Sequence, residues 1–594
     1  MCLRCVLKGG STPPMRPTSA ERHFFGPQQG VPSVNLYVPI LKGSPTMNRY
    51  VQIALTITII LLISACSKPN HDIIIRGGNI YDGSGSPAIT ADIAIDGDRI
   101  TAIGDLEDHK GKSEIDATGL AVAPGFINML SWANESLIQD GRSMSDIYQG
   151  VTLEIMGEGT SMGPLNDEMR QQRIERQNDI RYDVPWTTLG EYLQYLEDRG
   201  VSTNVASFVG ASTVRIHEMG YVDRDPTEQE LENMKQHVHV AMREGAMGLG
   251  SSLPYIPAPF ATTEELIALA EVVAEYDGMY ISHIRDEGNE IFAAVEELIN
   301  IVRESGARGE IYHLKSSQKQ NWDKLDTVIA MIETARAEGL PVTADMYTYH
   351  ASSTGLTIDL PDWVKEGGHE KLVSRLKDSA IKNHVIEEAN MIPPEDLLLV
   401  DFRNKDLRHL TGKTLAEVAE MRGTSPVETA LDLIVEDDSR IGTVRFTMSE
   451  DNIRKKIALP WVSLCSDSGS IAPEEPFTNS QPHPRAYGSF ARLLGKYVRE
   501  EKIISLEEAV HKMTGLPATN LKLDRRGQLA PDYYADVVIF DPETVGDLAT
   551  FQDPHQLATG VVHVFVNGDQ VLKDGEHTGA TPGRFVKGPG WGKK

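Results

Sequence analysis

The stretch MYISHIRDEGNEIFAAVEELINIVRESGARGEIYHLKSSQKQNWDKLDTVIAMIETARAEGLPVTADMY (279–347) decides the fold. MYISH (279–283), EIYHL (310–314) and PVTADMY (341–347) are short, β-rich runs. NEIFAAVEELINIVRESG and WDKLDTVIAMIETARAEG between them carry apolar residues at helical spacing and stop at Gly306 and Gly339. Strands joined by helices of this length run parallel, because each crossover returns the chain to the same end of the sheet. Upstream, Thr262-x-x-Glu265 predicts a capping box opening the helix before MYISH. Downstream, the rhythm turns irregular and more polar from about 360 to 445, which reads as an inserted subdomain. It resumes at WVSLCSD (461–467) and at the helix after Ser505.

The two ends have a different texture. DIIIRGGNIYDGSGSP and ADIAIDGDRITAIGD between 71 and 123, and YYADVVIFDP (533–542) with VVHVFVNGDQVLKDGE (561–576), are short strands with Gly and Asp at the turns. Asn567-Gly568 is a hairpin signal. The expected architecture is α/β: a (β/α)₈ TIM-like barrel over 124–524 with an insertion before its last strand, and a small β-sandwich from 71–123 plus 525–588.

The 594 residues carry 57 Lys+Arg against 85 Asp+Glu, a net charge of −28. That balance argues against a nucleic-acid partner, which needs clustered cations. From Met47, MNRYVQIALTITIILLISAC gives one Arg, a 15-residue uncharged run over 51–65 and small residues before Cys66, the pattern of an export signal. Ile63-Ser64-Ala65-Cys66 resembles a bacterial lipobox, with Cys66 as the acylated first residue. Ser67 favours an outer-membrane anchor facing the periplasm, this lipid being the only expected membrane contact. Residues 1–46 precede a signal that acts from the N-terminus and are read as a non-native upstream segment. The chain from Cys66 onward carries −33 and two cysteines, Cys66 and Cys465.

His283, His313 and Asp467 each fall at the C-terminal end of an expected buried strand. In a (β/α)₈ barrel, catalytic groups converge on that face. Two imidazoles and a carboxylate there suit a Zn²⁺-type ion. Cys465 reads as a small buried residue, and His483 and His511 receive no catalytic role.

A set of motifs in fixed order extends this reading: PGFI (124–127), QGVT (149–152), GAMGLGSSLPY (245–255), SHIRDEG (282–288), HLK (313–315), TADMYTYHASSTGL (343–356), HPRAYGSF (483–490) and LEEAVHKMTGLPA (506–518). Across residues 71 to 588 the chain resembles the N-acyl-D-amino-acid deacylases (D-aminoacylases) of the amidohydrolase superfamily. The resemblance implies a metal-dependent barrel that hydrolyses the amide of an N-acyl-D-amino acid. It makes His283 and His313 metal ligands and Asp467 the catalytic carboxylate, and places Lys315, Tyr347 and Arg485 near the substrate carboxylate.

Three segments depart from the family pattern. Leu130 and Trp132 stand where members carry His-x-His, so a second metal site is expected to be absent and one divalent ion, Zn²⁺, is expected to suffice. Gly159 stands where members place a bridging Cys, and neighbouring Glu158 is the expected third ligand. Ala211 stands where members often have His. Two other functions fit less of the chain: a binding barrel without turnover, with Trp132 walling an apolar pocket, and a cyclic amidase like the hydantoinases and dihydroorotases. The oligomeric state is not legible in the sequence.

Overall fold

The computed structural model describes residues 70–593. The upstream segment 1–46 and the leader at 47–66, Cys66 included, lie outside the described residues. Eight parallel strands form the centre. In chain order they are Phe126–Asn128, Val151–Met156, Asn204–Ser207 continued by Val209–Gly210, Gly248–Ser252, Met279–His283, Arg308–Ile311, Val342–Met346 and Val462–Leu464. Each pairs with the next. The ring closes where the Met129 N–H donates to the Leu464 carbonyl, 3.2 Å, and a parallel bridge joins Ser131 to Ser468.

The period visible in 279–347 has a direct counterpart in packing. All five residues of Met279–His283 are buried, as expected of a strand covered on both faces. Helix Ile291–Ser305 buries Ile291, Val295, Leu298 and Val302 along one stripe and stops at Gly306, whose φ of 73° only glycine adopts freely. The helix lies close on its strand because Gly309 has no side chain: a Cβ there would come within 2.3 Å of Val302 Cγ2. EIYHL proves shorter than expected as a strand, ending at Ile311. The box at Thr262 is half formed. Thr262 Oγ1 accepts the Glu265 N–H at 3.2 Å, but the Glu265 carboxylate turns to Arg215. Arg215 is fully buried, and without that carboxylate its charge would be uncompensated.

Strands from both ends of the chain meet in one continuous nine-stranded sheet. Val537–Phe540 pairs antiparallel with Ala121–Pro124, and Ile75, Ile93, Ile95, Val537, Ile539 and Phe565 share a core. Asn567 and Gly568 both have positive φ, 49° and 85°, the conformation of a two-residue hairpin turn. Between the seventh and eighth barrel strands a three-stranded antiparallel sheet (Ser352–Gly355, Leu397–Asp401, Gly442–Arg445) has its own core around Leu356, Leu399, Phe402 and Leu431. It begins at Ser352, upstream of the boundary read near 360. Its first strand, Ser-Ser-Thr-Gly, offers no apolar alternation to mark it.

Candidate active site

The C-terminal ends of the barrel strands open into a cleft of about 1070 Å³, lined by Glu158, His283, His313, Lys315, Tyr347, Asp467 and Arg485 together with Trp132. The backbone decides how each side chain enters. His283 is the last residue of its strand. His313 and Asp467 lie just beyond theirs at φ 35° and 49°. Such left-handed conformations cost about 1–3 kcal/mol each and cluster where function over-determines the backbone. Two hydrogen bonds hold them: the His313 N–H donates to Asp345 Oδ1, 2.6 Å, and the Asp467 N–H to the Leu130 carbonyl, 2.9 Å.

Glu158 sits between Gly157 (φ 107°) and Gly159 (φ 65°). A Cβ on Gly159 would lie 2.5 Å from Ser252 Cβ and 2.9 Å from Ser252 N, so no side chain fits there. The residue facing the imidazoles from this turn is Glu158. Its Oε1 lies 2.8 Å from His283 Nδ1, 3.3 Å from His313 Nε2 and 3.2 Å from Ser252 Oγ. Ligand atoms of all three residues fall within 4.8 Å of one another. Around a tetrahedral ion with bonds of 2.0–2.1 Å, neighbouring donors are separated by roughly 3.3 Å, so this triangle fits one small divalent ion with little movement.

The charge balance also calls for a cation. Glu158, Glu287 and Asp467 bring three carboxylates to the site, opposed by Lys315 and Arg485. Burial alone would keep His313 neutral, but Asp467, Glu158 and Glu287 lift its pKa to about 9. Burial likewise opposes ionisation of Glu158, yet the two imidazoles hold its carboxyl well below the usual range. Glu287, absent from the sequence-based candidates although it lies in SHIRDEG, accepts from Lys315 Nζ at 2.6 Å and lies 3.2 Å from His313 Nδ1 and 3.6 Å from His283 Nε2. Its signal was an acid four residues past a strand-end histidine.

On the opposite side, Asp467 has one hydrogen bond and one ion-pair contact. Trp132 Nε1 donates to Oδ1 at 3.2 Å and Arg485 Nη1 lies 2.7 Å from Oδ2. Arg485 stacks over the Tyr347 ring, 4.6 Å from its centroid, and its buried Nε and Nη1 make no hydrogen bond. The Tyr347 hydroxyl donates to Met448 Sδ, 3.3 Å. His483, which the sequence reading left without a catalytic role, also lines the cleft. It accepts the Arg485 N–H at Nδ1, 3.0 Å, and its Nε2 lies 2.9 Å from the Ala351 carbonyl. Burial pushes its pKa well down, so it serves as a neutral support for Arg485. His350 instead lies half-buried beside Glu450, 3.9 Å, outside the cleft lining.

The sequence profile of the amidohydrolase family matches residues 113–572. The chain belongs to the amidohydrolase family. The D-aminoacylase of Alcaligenes xylosoxydans xylosoxydans is 34% identical to this amidohydrolase over 529 residues, covering 88% of the chain and 98% of the relative. The crystal structure of an N-acyl-D-glutamate deacylase from Bordetella bronchiseptica, complexed with zinc and a phosphonate mimic of the tetrahedral intermediate, is 30% identical with a TM-score of 0.73. It covers 87% of this chain and 100% of that one. A D-aminoacylase structure concerned with one-metal activation and second-metal attenuation of a binuclear centre is 32% identical, with the same TM-score and coverage.

Leu130 and Trp132 follow the first barrel strand, Phe126–Asn128. Leu130 is fully buried in the barrel core. Trp132 is 40% exposed, and its indole N–H is engaged by Asp467, so it is more than an apolar wall. Ala211 opens the helix Ala211–Met219 and adds no polar group.

Proposed function

We propose that this amidohydrolase removes the acyl group from N-acyl-D-amino acids, using one divalent ion, Zn²⁺, held by Glu158, His283 and His313. The observation that carries this reading is the triangle of those three side chains with Asp467 and Arg485 on its far side, in a cleft wide enough for an acylated amino acid. One ion bound there supplies Lewis acidity and a water acidified towards neutrality.

The residues of the chain do the rest. Asp467 accepts the proton of the attacking water and returns it to the leaving amine. Trp132 and Arg485 keep its two oxygens aimed, which removes the entropy of finding that orientation from the barrier. The unpartnered Nε of Arg485 and the Lys315 N–H groups not taken by Glu287 are the donors for the substrate carboxylate, a charge-assisted contact that positions the scissile amide. Glu287 holds Lys315 and both imidazoles in register. Tyr255 packs edge-on against His283 and bonds Thr354 Oγ1, 2.8 Å, tying the inserted subdomain to the metal side of the cleft.

Hydrolysis of a panel of N-acetyl-D- and N-acetyl-L-amino acids by the zinc-loaded protein tests this. Release of free D-amino acid with little L-turnover is expected. Absence of hydrolysis, with binding that survives Asp467→Asn, would establish a binding barrel. Turnover confined to cyclic ureides would establish a cyclic amidase.

We further propose that the protein is lipid-anchored at Cys66, facing the periplasm from the outer membrane. The Arg49 charge, the uncharged run over 51–65 and the small residues before Cys66 support this. Radiolabelled palmitate should enter the wild-type chain in a bacterial host and be lost in Cys66→Ala. Labelling that persists overturns the anchor.

A further inference from the structure

Away from the barrel mouth, a second cluster repeats the donor set of the first. Helix Ala211–Met219 carries His217 and Glu218 in its last turn, and the next helix, Glu228–Glu244, brings His237 against them. Glu218 Oε1 lies 2.7 Å from His217 Nδ1 and 2.9 Å from His237 Nε2. In the barrel mouth one oxygen of Glu158 likewise faces one Nδ1, at 2.8 Å, and one Nε2, at 3.3 Å. The ring pairs are similar too, with centroids 4.1 Å apart at 57° here and 4.5 Å apart at 84° in the cleft. Asn233 Nδ2 donates to the other oxygen of Glu218, 2.8 Å, which leaves Oε1 directed at the two imidazoles.

We propose that His217, Glu218 and His237 form a second, peripheral site for a divalent first-row transition ion such as Zn²⁺. Two imidazoles and a carboxylate select this class over Mg²⁺ and Ca²⁺, which take oxygen ligands. The ligand atoms all lie within 4.8 Å of one another. To span an ion with bonds of 2.0–2.1 Å, they open by about half an ångström. The surface position allows this: the three side chains are 13–25% exposed, against 2–10% for the cleft triangle. The same exposure lets water complete the coordination, so the site binds more weakly than a closed structural one. An ion there cross-links two consecutive helices of the barrel wall. The first of them carries Ser212, which lines the cleft, at its opposite end.

The site stands or falls independently of the hydrolase reading, because its test reads metal rather than turnover. Protein stripped with chelator is titrated with Zn²⁺ by calorimetry, and the metal retained after gel filtration is measured. The wild-type chain is expected to bind two equivalents in two phases. His217→Gln and His237→Gln, tested separately so that one misfolded variant does not decide the matter, should each lose the weaker equivalent while keeping kcat/KM of the zinc-loaded enzyme within twofold. The rise in Tm on the second Zn²⁺ addition should vanish in both. Folded His217→Gln and His237→Gln variants that take up as much Zn²⁺ as the wild-type chain overturn the site, whereas a single wild-type equivalent that both variants lose would leave the site standing and empty the cleft.

Discussion

Asp467→Asn is expected to lower kcat for N-acyl-D-amino acid hydrolysis by about 10²- to 10⁴-fold, the range by which a positioned acid–base group accelerates proton transfer, with metal content unchanged. The substitution keeps the shape of the side chain and an acceptor for Trp132 Nε1, so it removes proton transfer with little loss of position. It also leaves Arg485, almost fully buried, without its nearest carboxylate, and some loss of stability is expected from that charge. Trp132→Phe separates aim from chemistry. It deletes one donor to a charged acceptor and keeps the carboxylate, so kcat should fall about five- to thirtyfold, the equivalent of about 1–2 kcal/mol, with KM little changed. Steady-state kinetics with metal analysis of the same preparations check both. Asp467→Asn with near wild-type kcat would remove Asp467 from the mechanism.

Glu158→Gln is the second large effect. Glu158 is the one anionic donor in the cleft triangle, and the amide preserves its volume between two glycines while removing the charge. Loss of hydrogen-bonding partners outside a metal's own ligands already costs 10- to 100-fold in affinity. Loss of a ligand should cost more, so Zn²⁺ affinity of the cleft is expected to fall at least about 100-fold. Hydrolysis should collapse at stoichiometric zinc and return in part at high zinc. Competition with a chromogenic chelator measures the affinity. Unchanged affinity would mean that the third ligand lies elsewhere.

The parts of this site differ in how far local sequence announces them. His283 is legible because the short β-rich run that carries it follows a helix and ends on it. His313 is legible only in outline. Its strand stops at Ile311, and a left-handed turn held by Asp345 swings the ring inward. Glu158 depended on which residue of Gly157-Glu158-Gly159 could carry a side chain, and the contact with Ser252 decides that. Lys315, Tyr347 and Arg485 were reached through resemblance alone. The structure adds that Tyr347 lies under Arg485 and that Lys315 is already committed to Glu287.

Alternating apolar periods and glycine stops, acting over ten to twenty residues, were enough to dictate parallel βα units, the β-rich ends and two histidines on one face. Contacts such as Trp132 to Asp467, 335 residues apart, and Glu158 to His313, 155 apart, were decided only by closure of the barrel. Local propensity constrains neighbours along the chain, whereas a coordination triangle needs a few ångströms of accuracy between strands that meet only when the ring is complete.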